Sequence, residues 1–171
     1  MNILAIKPFY IFSGSLILLC ILYIVFVVVI YPSIRKNKVM TQLVKTANLN
    51  NKKITIVTTK LHDATFKIKV EDKCYLAKVV MVSKNCDLQI NNIDTFVVYK
   101  KASADTYKSK CISNMTQFMK AKEENKIILL SNKAKTIKKV INECEMIMVN
   151  PKVDVHGVHI YNFNDYNDLF N

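Results

Sequence analysis

Residues 9–31 read FYIFSGSLILLCILYIVFVVVIY, twenty-three positions with no formal charge and no proline. As a helix rising about 1.5 Å per residue they span roughly 34 Å, enough to cross a hydrocarbon core of about 30 Å. Such a stretch makes the rest of the chain fold beside a membrane. A cleaved signal peptide would carry an apolar region of about 7–15 residues ending at a small-residue site. Here the run is longer and closes on Val27, Val28, Val29, Ile30 and Tyr31, so it reads as an uncleaved signal anchor. Tyr10, Tyr23 and Tyr31 include side chains suited to the lipid–water interface. Pro32 should break or bend the helix. The resulting organisation is a short end (1–8), a transmembrane signal anchor (9–31), a juxtamembrane segment (32–51) and an ectodomain (52–171).

The net charge of +12 falls almost wholly after the span, because Lys7 is the one basic residue before it. A basic surface suits lipid headgroups, nucleic acid or an acidic protein. The lysines are scattered and arginine is scarce, so no phosphate-tracking stripe is legible. Arg35, Lys36, Lys38 and Lys45 follow the span, and the positive-inside bias would keep the domain in the cytosol. The cysteines point the other way. Cys20 lies in the span as an apolar thiol. Cys74, Cys86, Cys111 and Cys144 remain. Their even number predicts two disulfides and an oxidising compartment, with all three connectivities open. Their spacings match no zinc pattern. Of the two signals, the cysteines set the expectation that the domain faces away from the cytosol.

The remainder reads as an α+β domain, an antiparallel-dominated sheet packed by two helices. Val39, Met40, Leu43, Val44 and Ala47 form the apolar face of a juxtamembrane helix. Residues 53–59 and 64–70 are β-branched runs forming a hairpin, with Phe66, Ile68 and Val70 inward and Lys67 and Lys69 outward. Residues 74–82, apolar on both faces, should be a central strand, followed by strands at 86–90 and 94–100 in a meander. Ser103, with Asp105 in the first turn, should cap a helix to residue 122 whose apolar face includes Tyr107, Cys111, Met115 and Phe118. A strand is expected at 126–131 and a short helix at 132–144, with Ile137, Val140, Ile141 and Cys144 inward. Another strand at 145–150 should lie parallel to the first. An extended run at 153–163 leads to a loosely packed or docking tail, 161–171.

No constellation names a reaction. Asp154, His156 and His159 are the nearest approach to a metal set, but strand alternation turns His159 away unless Gly157 makes a bulge. His62 and Asp63 sit in a turn and are better read as turn residues than as an acid/base pair. No nucleophile elbow or glycine-rich phosphate loop occurs. No catalytic residue, metal or cofactor is assigned. Asn114 begins an Asn-Met-Thr sequon and is a glycosylation candidate. Ser13, Gly14 and Ser15 lack the small-x-x-x-small spacing of packed membrane helices.

The overall length, the 9–31 anchor, the hairpin ITIVTTKLHDATFKIKV at 54–70 and the four cysteines Cys74, Cys86, Cys111 and Cys144 carry a resemblance. The chain resembles the fourth per os infectivity factors of baculoviruses and nudiviruses, envelope proteins of the occluded-type virion. The resemblance implies a single-pass, non-enzymatic subunit of an oral-infectivity complex. Its location would be the virion envelope and host-cell membranes. Its partners would be the bilayer, the other envelope proteins of the complex and the host cell surface. Subunits of the poxvirus complex that takes the virion into cells share the same plan. The alternatives are a cytosol-facing basic adaptor for anionic lipid or nucleic acid, and an anchored hydrolase or redox enzyme.

Overall fold

The computed structural model describes residues 3–102, 106–123 and 125–170, with side chains from Ser13 onward. It is α+β. Residues up to Arg35 form one compact unit, and those from Lys36 form another.

In the first unit, helix α1 (Ile3–Val25) runs into a widened π turn, Phe26–Ile30, and then into the start of α2 (Tyr31–Leu49), whose residues from Lys36 belong to the second unit. Ser13–Leu49 is long and apolar enough to cross a membrane, and none of its most apolar stretch is buried by protein. The break expected at Pro32 does not occur. Proline removes one helical N–H, and its ring crowds the carbonyl four residues back, here that of Val28. The π turn ending at Ile30 gives that carbonyl room. The Ser33 hydroxyl donates to the Val29 carbonyl at 2.8 Å. Tyr31 accepts from the Arg35 guanidinium, which also lies 5.0 Å from its ring centroid.

In the second unit, Val39, Leu43, Thr46 and Ala47 of α2 are buried, an i, i+4, i+7, i+8 stripe. The buried Thr46 hydroxyl is satisfied by the Gln42 carbonyl at 2.8 Å. The stripe covers a sheet of β1 (Ile54–Thr58), β2 (Phe66–Val70), β3 (Lys73–Val80), β7 (Lys126–Leu130) and β10 (Val158–Tyr161), in the order β1-β2-β3-β7-β10. A second sheet has the order β6-β5-β4-β8-β9, from β4 (Asp87–Ile90), β5 (Phe96–Lys101), β6 (Tyr107–Ile112), β8 (Thr136–Asn142) and β9 (Glu145–Met148). Pairing is antiparallel except for β3–β7, β7–β10 and β4–β8. In β2, Phe66, Ile68 and Val70 are buried while Lys67 and Lys69 are exposed, as the alternation predicts.

Two cores result. Ile68, Val79, Leu129 and the α2 stripe form one. The other lies between the sheets and includes Leu88, Phe96, Phe118 and Ile128.

Both strands that link the sheets turn the corner side by side. β3 leads into β4 and β7 into β8. Through the bend Ser131 N donates to the Val80 carbonyl (3.0 Å), Val82 N to Ser131 Oγ (3.2 Å) and Asn132 Nδ2 to the Val82 carbonyl (2.9 Å). Beyond it Lys135 N donates to the Cys86 carbonyl at 2.7 Å.

Several expectations are corrected. The segment expected to be one helix to residue 122 is the exposed strand β6 followed by the one-turn α3 (Thr116–Lys120). Ser103 and Asp105, its expected start, lie outside the described residues. The expected helix at 132–144 is strand β8 and its turn into β9. The strands at 126–130 and 145–148 are not parallel neighbours, since β7 and β9 belong to different sheets. The meander stops at β3, because β4 starts the second sheet. The tail is not loose: Tyr161, Tyr166, Leu169 and Phe170 are buried in the core under α2, and the Tyr166 hydroxyl donates to the Leu130 carbonyl at 2.8 Å.

Asn132→Ala should therefore leave the buried Val82 carbonyl without its side-chain donor and cost about 1–3 kcal/mol. Ile128→Ala, which opens a cavity between the sheets, should cost about 2–5 kcal/mol. Guanidinium unfolding of the full chain in detergent, followed by tyrosine fluorescence, measures both.

Candidate functional site

All five cysteines fall among the described residues, and all are free. None of Cys74, Cys86, Cys111 and Cys144 is joined in a disulfide, and the strand order holds Cys111 and Cys144 apart. Cys111 is exposed on edge strand β6, and Cys144 sits in the turn joining β8 to β9. β5 and β4 lie between those elements. Three strand spacings make about 14 Å, against a Cα separation of at most about 7 Å in a disulfide. Cys74 is exposed on the other sheet, and Cys86 is fully buried between the sheets. Burial pushes the Cys86 thiol pKa up, which makes it a poor nucleophile.

Asn114 is exposed in a left-handed conformation (φ 62°) ahead of α3, with Met115 buried beside it. Asp154, His156 and His159 do not converge. Asp154 Oδ1 accepts from Gly157 N at 2.8 Å, and His159 Nδ1 faces the Pro151 carbonyl at 3.0 Å. His156 stands exposed at φ 57°. No group of three or more His, Cys, Asp or Glu is placed to hold a metal among the described residues. His62 and Asp63 form a 3-10 turn with Leu61, both at positive φ. His62 does not pair with Asp63; its Nε2 lies 3.6 Å from Glu123 Oε1. Glu123 Oε2 is buried without a hydrogen-bond partner among the described residues.

Two buried lysines hold this region. Lys78 of β3 donates to the carbonyls of Asp63 (3.1 Å) and Asn114, and its ammonium lies 5.9 Å from the Phe118 ring centroid. Burial lowers its pKa, opposed by the Asp63 charge. Lys126 of β7 donates to the carbonyls of Met119 (2.6 Å) and Ala121 (2.9 Å), closing the carboxyl end of α3. Each lysine ties a loop backbone to the sheet, a role sequence reading missed. For Lys78 the visible signal was a cation among apolar residues within a strand; Lys126, which opens its strand, gave none.

Sequence reading also missed two hollows against β1. Met40, Val44, Ile54 and Ile56 line one of about 530 Å³, with Lys45 at its margin. Val57, Lys67, Lys69, Cys74, Leu76 and Glu123 line the other, of about 560 Å³. Successive β1 residues face opposite sides of the sheet, so Ile54 and Ile56 floor the first hollow and Thr55 and Val57 the second. The second combines an apolar floor with exposed ammonium groups. That combination suits an apolar surface carrying negative charge.

Comparison of the chain with protein-family models, with curated proteins and with solved structures finds no match.

In native protein without reductant, iodoacetamide should modify Cys74, Cys111 and Cys144 rapidly and Cys86 only after unfolding. Peptide mass spectrometry reads this, and a linked pair among the four would contradict the placement. His156 gives a pH dependence. Partial desolvation of this exposed ring, reinforced by Lys139 and opposed by Asp154, holds its pKa below its ordinary value of 6.5. A depressed pKa contributes stability that is present above 6.5 and lost as pH falls through the folded-state value. His156→Asn, which tolerates positive φ, should therefore flatten part of the fall in denaturation midpoint between pH 7.5 and pH 5.

Proposed function

We propose that the protein is a single-pass membrane protein whose α+β domain binds other proteins, a non-enzymatic subunit of an assembly at a viral envelope. The carrying observation is the helix Ser13–Leu49, whose most apolar stretch is unburied along its length. Side chains such as Leu19, Leu22 and Val28 stand more than half exposed. Only a lipid environment or another protein removes that much contiguous apolar surface from water. The hollows beside β1 support a binding role for the domain. The resemblance to the fourth per os infectivity factors supplies the setting, an oral-infectivity complex acting at the host cell surface.

The free thiols favour a second reading for the side on which the domain lies. Without disulfides, the expectation of an oxidising compartment loses its support. Arg35, Lys36, Lys38 and Lys45 then stand against Lys7 and point to the cytosol. On that side the domain would be a basic adaptor for anionic lipid or nucleic acid.

Protease added to intact cells or virions distinguishes the two. The envelope reading expects residues from about 52 onward to be digested without detergent. Digestion only after detergent supports the cytosolic adaptor, and extraction of the full chain by alkaline carbonate alone would overturn the anchor itself.

A further inference from the structure

We infer that the free edge of β1 is a docking site for an extended segment of another protein, one that alternates apolar and acidic residues. The inference rests on the reading of the domain as a protein-binding module and names the kind of partner it takes.

β1 is an edge strand, paired on one side only, with β2. Lys53 O accepts from Glu71 N, and Thr59 N donates to Thr65 O. In an antiparallel ladder the bonded residues alternate. Positions 53, 55, 57 and 59 therefore bond inward to β2, and Ile54, Ile56 and Thr58 present their N–H and C=O groups outward. Edge strands are ordinarily guarded by charge, proline, a bulge or a covering element. β6 carries Lys108 and Lys110, and β9 opens on Glu145. β1 reads ITIVT, β-branched throughout and uncharged. That composition favours strand pairing.

The hollows supply what an added strand needs besides a backbone. Main-chain bonds give such a complex its affinity, and pockets for alternate side chains give it specificity. A strand laid beside β1 sends alternate residues to opposite faces. One set meets the apolar hollow of Met40, Val44, Ile54 and Ile56. The other passes over Thr55 and Val57 toward Lys67 and Lys69. Lys53 and Lys60 at the ends of β1 are also exposed. Among the described residues the ion pairs are Lys52–Glu71 and His62–Glu123, so this rim carries excess positive charge. Apolar residues on one face and acidic residues on the other complement it.

The same charges argue against a second copy of this chain. Antiparallel self-pairing centred on Ile56 would set Lys52 of each copy opposite Lys60 of the other at both ends. Like charges directly opposed across strands are destabilising.

The test uses the full chain in lipid nanodiscs and a blocked, fluorescein-labelled eight-residue peptide in which valine alternates with glutamate. Fluorescence anisotropy should show saturable binding. A peptide of the same composition in blocks should bind at least tenfold more weakly. Thr58→Pro removes an outward N–H without touching the bonds to β2, and should weaken binding at least tenfold. Lys67→Glu combined with Lys69→Glu, both at exposed positions, should transfer preference to a peptide alternating valine with lysine. No binding, or binding indifferent to both variants, overturns the inference. So does cross-linking of β1 to β1 between two copies. Failure of the anchor would appear as carbonate extraction in the earlier test, while peptide binding by the domain is measured separately.

Discussion

The domain depends on a corner. Two neighbouring strands leave one sheet and enter the other together, and buried polar groups at Ser131 and Asn132 keep them paired through the turn. A strand that bends interrupts its regular ladder, and a buried backbone group without a partner costs about 1–3 kcal/mol. Here the Ser131 hydroxyl and the Asn132 amide stand in for missing backbone partners. Asn132 Oδ1 also accepts from Lys38 Nζ at 3.2 Å, which ties α2 to the same point. The sheet order, the core between the sheets and the seat of α2 all follow from where this corner lies.

Buried lysines extend the same device. Lys78 and Lys126 point from the first sheet toward the second, where an apolar residue would pack more simply. Each instead spends its ammonium on backbone carbonyls of short loops that have no regular partners. The short helix α3 is held at its carboxyl end by Lys126 and roofed onto the core by Phe118 and Met119. One turn of helix has almost no stability of its own, so these attachments account for its presence.

Much of this was legible in the residues. The alternation of Phe66, Ile68 and Val70 with Lys67 and Lys69, and the stripe of Val39, Leu43 and Ala47, report burial directly because one face of each element is wet. Periodicity misleads where it carries no burial information. Ile137, Val140, Ile141 and Cys144 satisfy a helical spacing, yet only Ile137 is buried, and the β-branched content of 136–141 was the better guide. β6 is exposed along nearly its whole length, so its residues carry no face to read. The cysteines failed differently. An even count is arithmetic, whereas a disulfide requires proximity, and the strand order that keeps Cys111 and Cys144 apart is a long-range property. The hollows beside β1 likewise arise from elements far apart in sequence, although its uncharged, β-branched composition was visible.

The buried tail bears on how the molecule is made. The apolar helix precedes the domain in the chain, so it leaves the ribosome while most of the domain is still untranslated. β10 and the turn that carries Tyr166, Leu169 and Phe170 follow all the other strands, yet they complete the sheet that α2 covers. Until β10 is made, the far side of β7 has no neighbour, and Ile127 and Leu129 lack part of their cover. The nascent domain thus passes through a stage with a sticky, half-built sheet. A chain cut short before β10 would keep its apolar helix and could not finish folding.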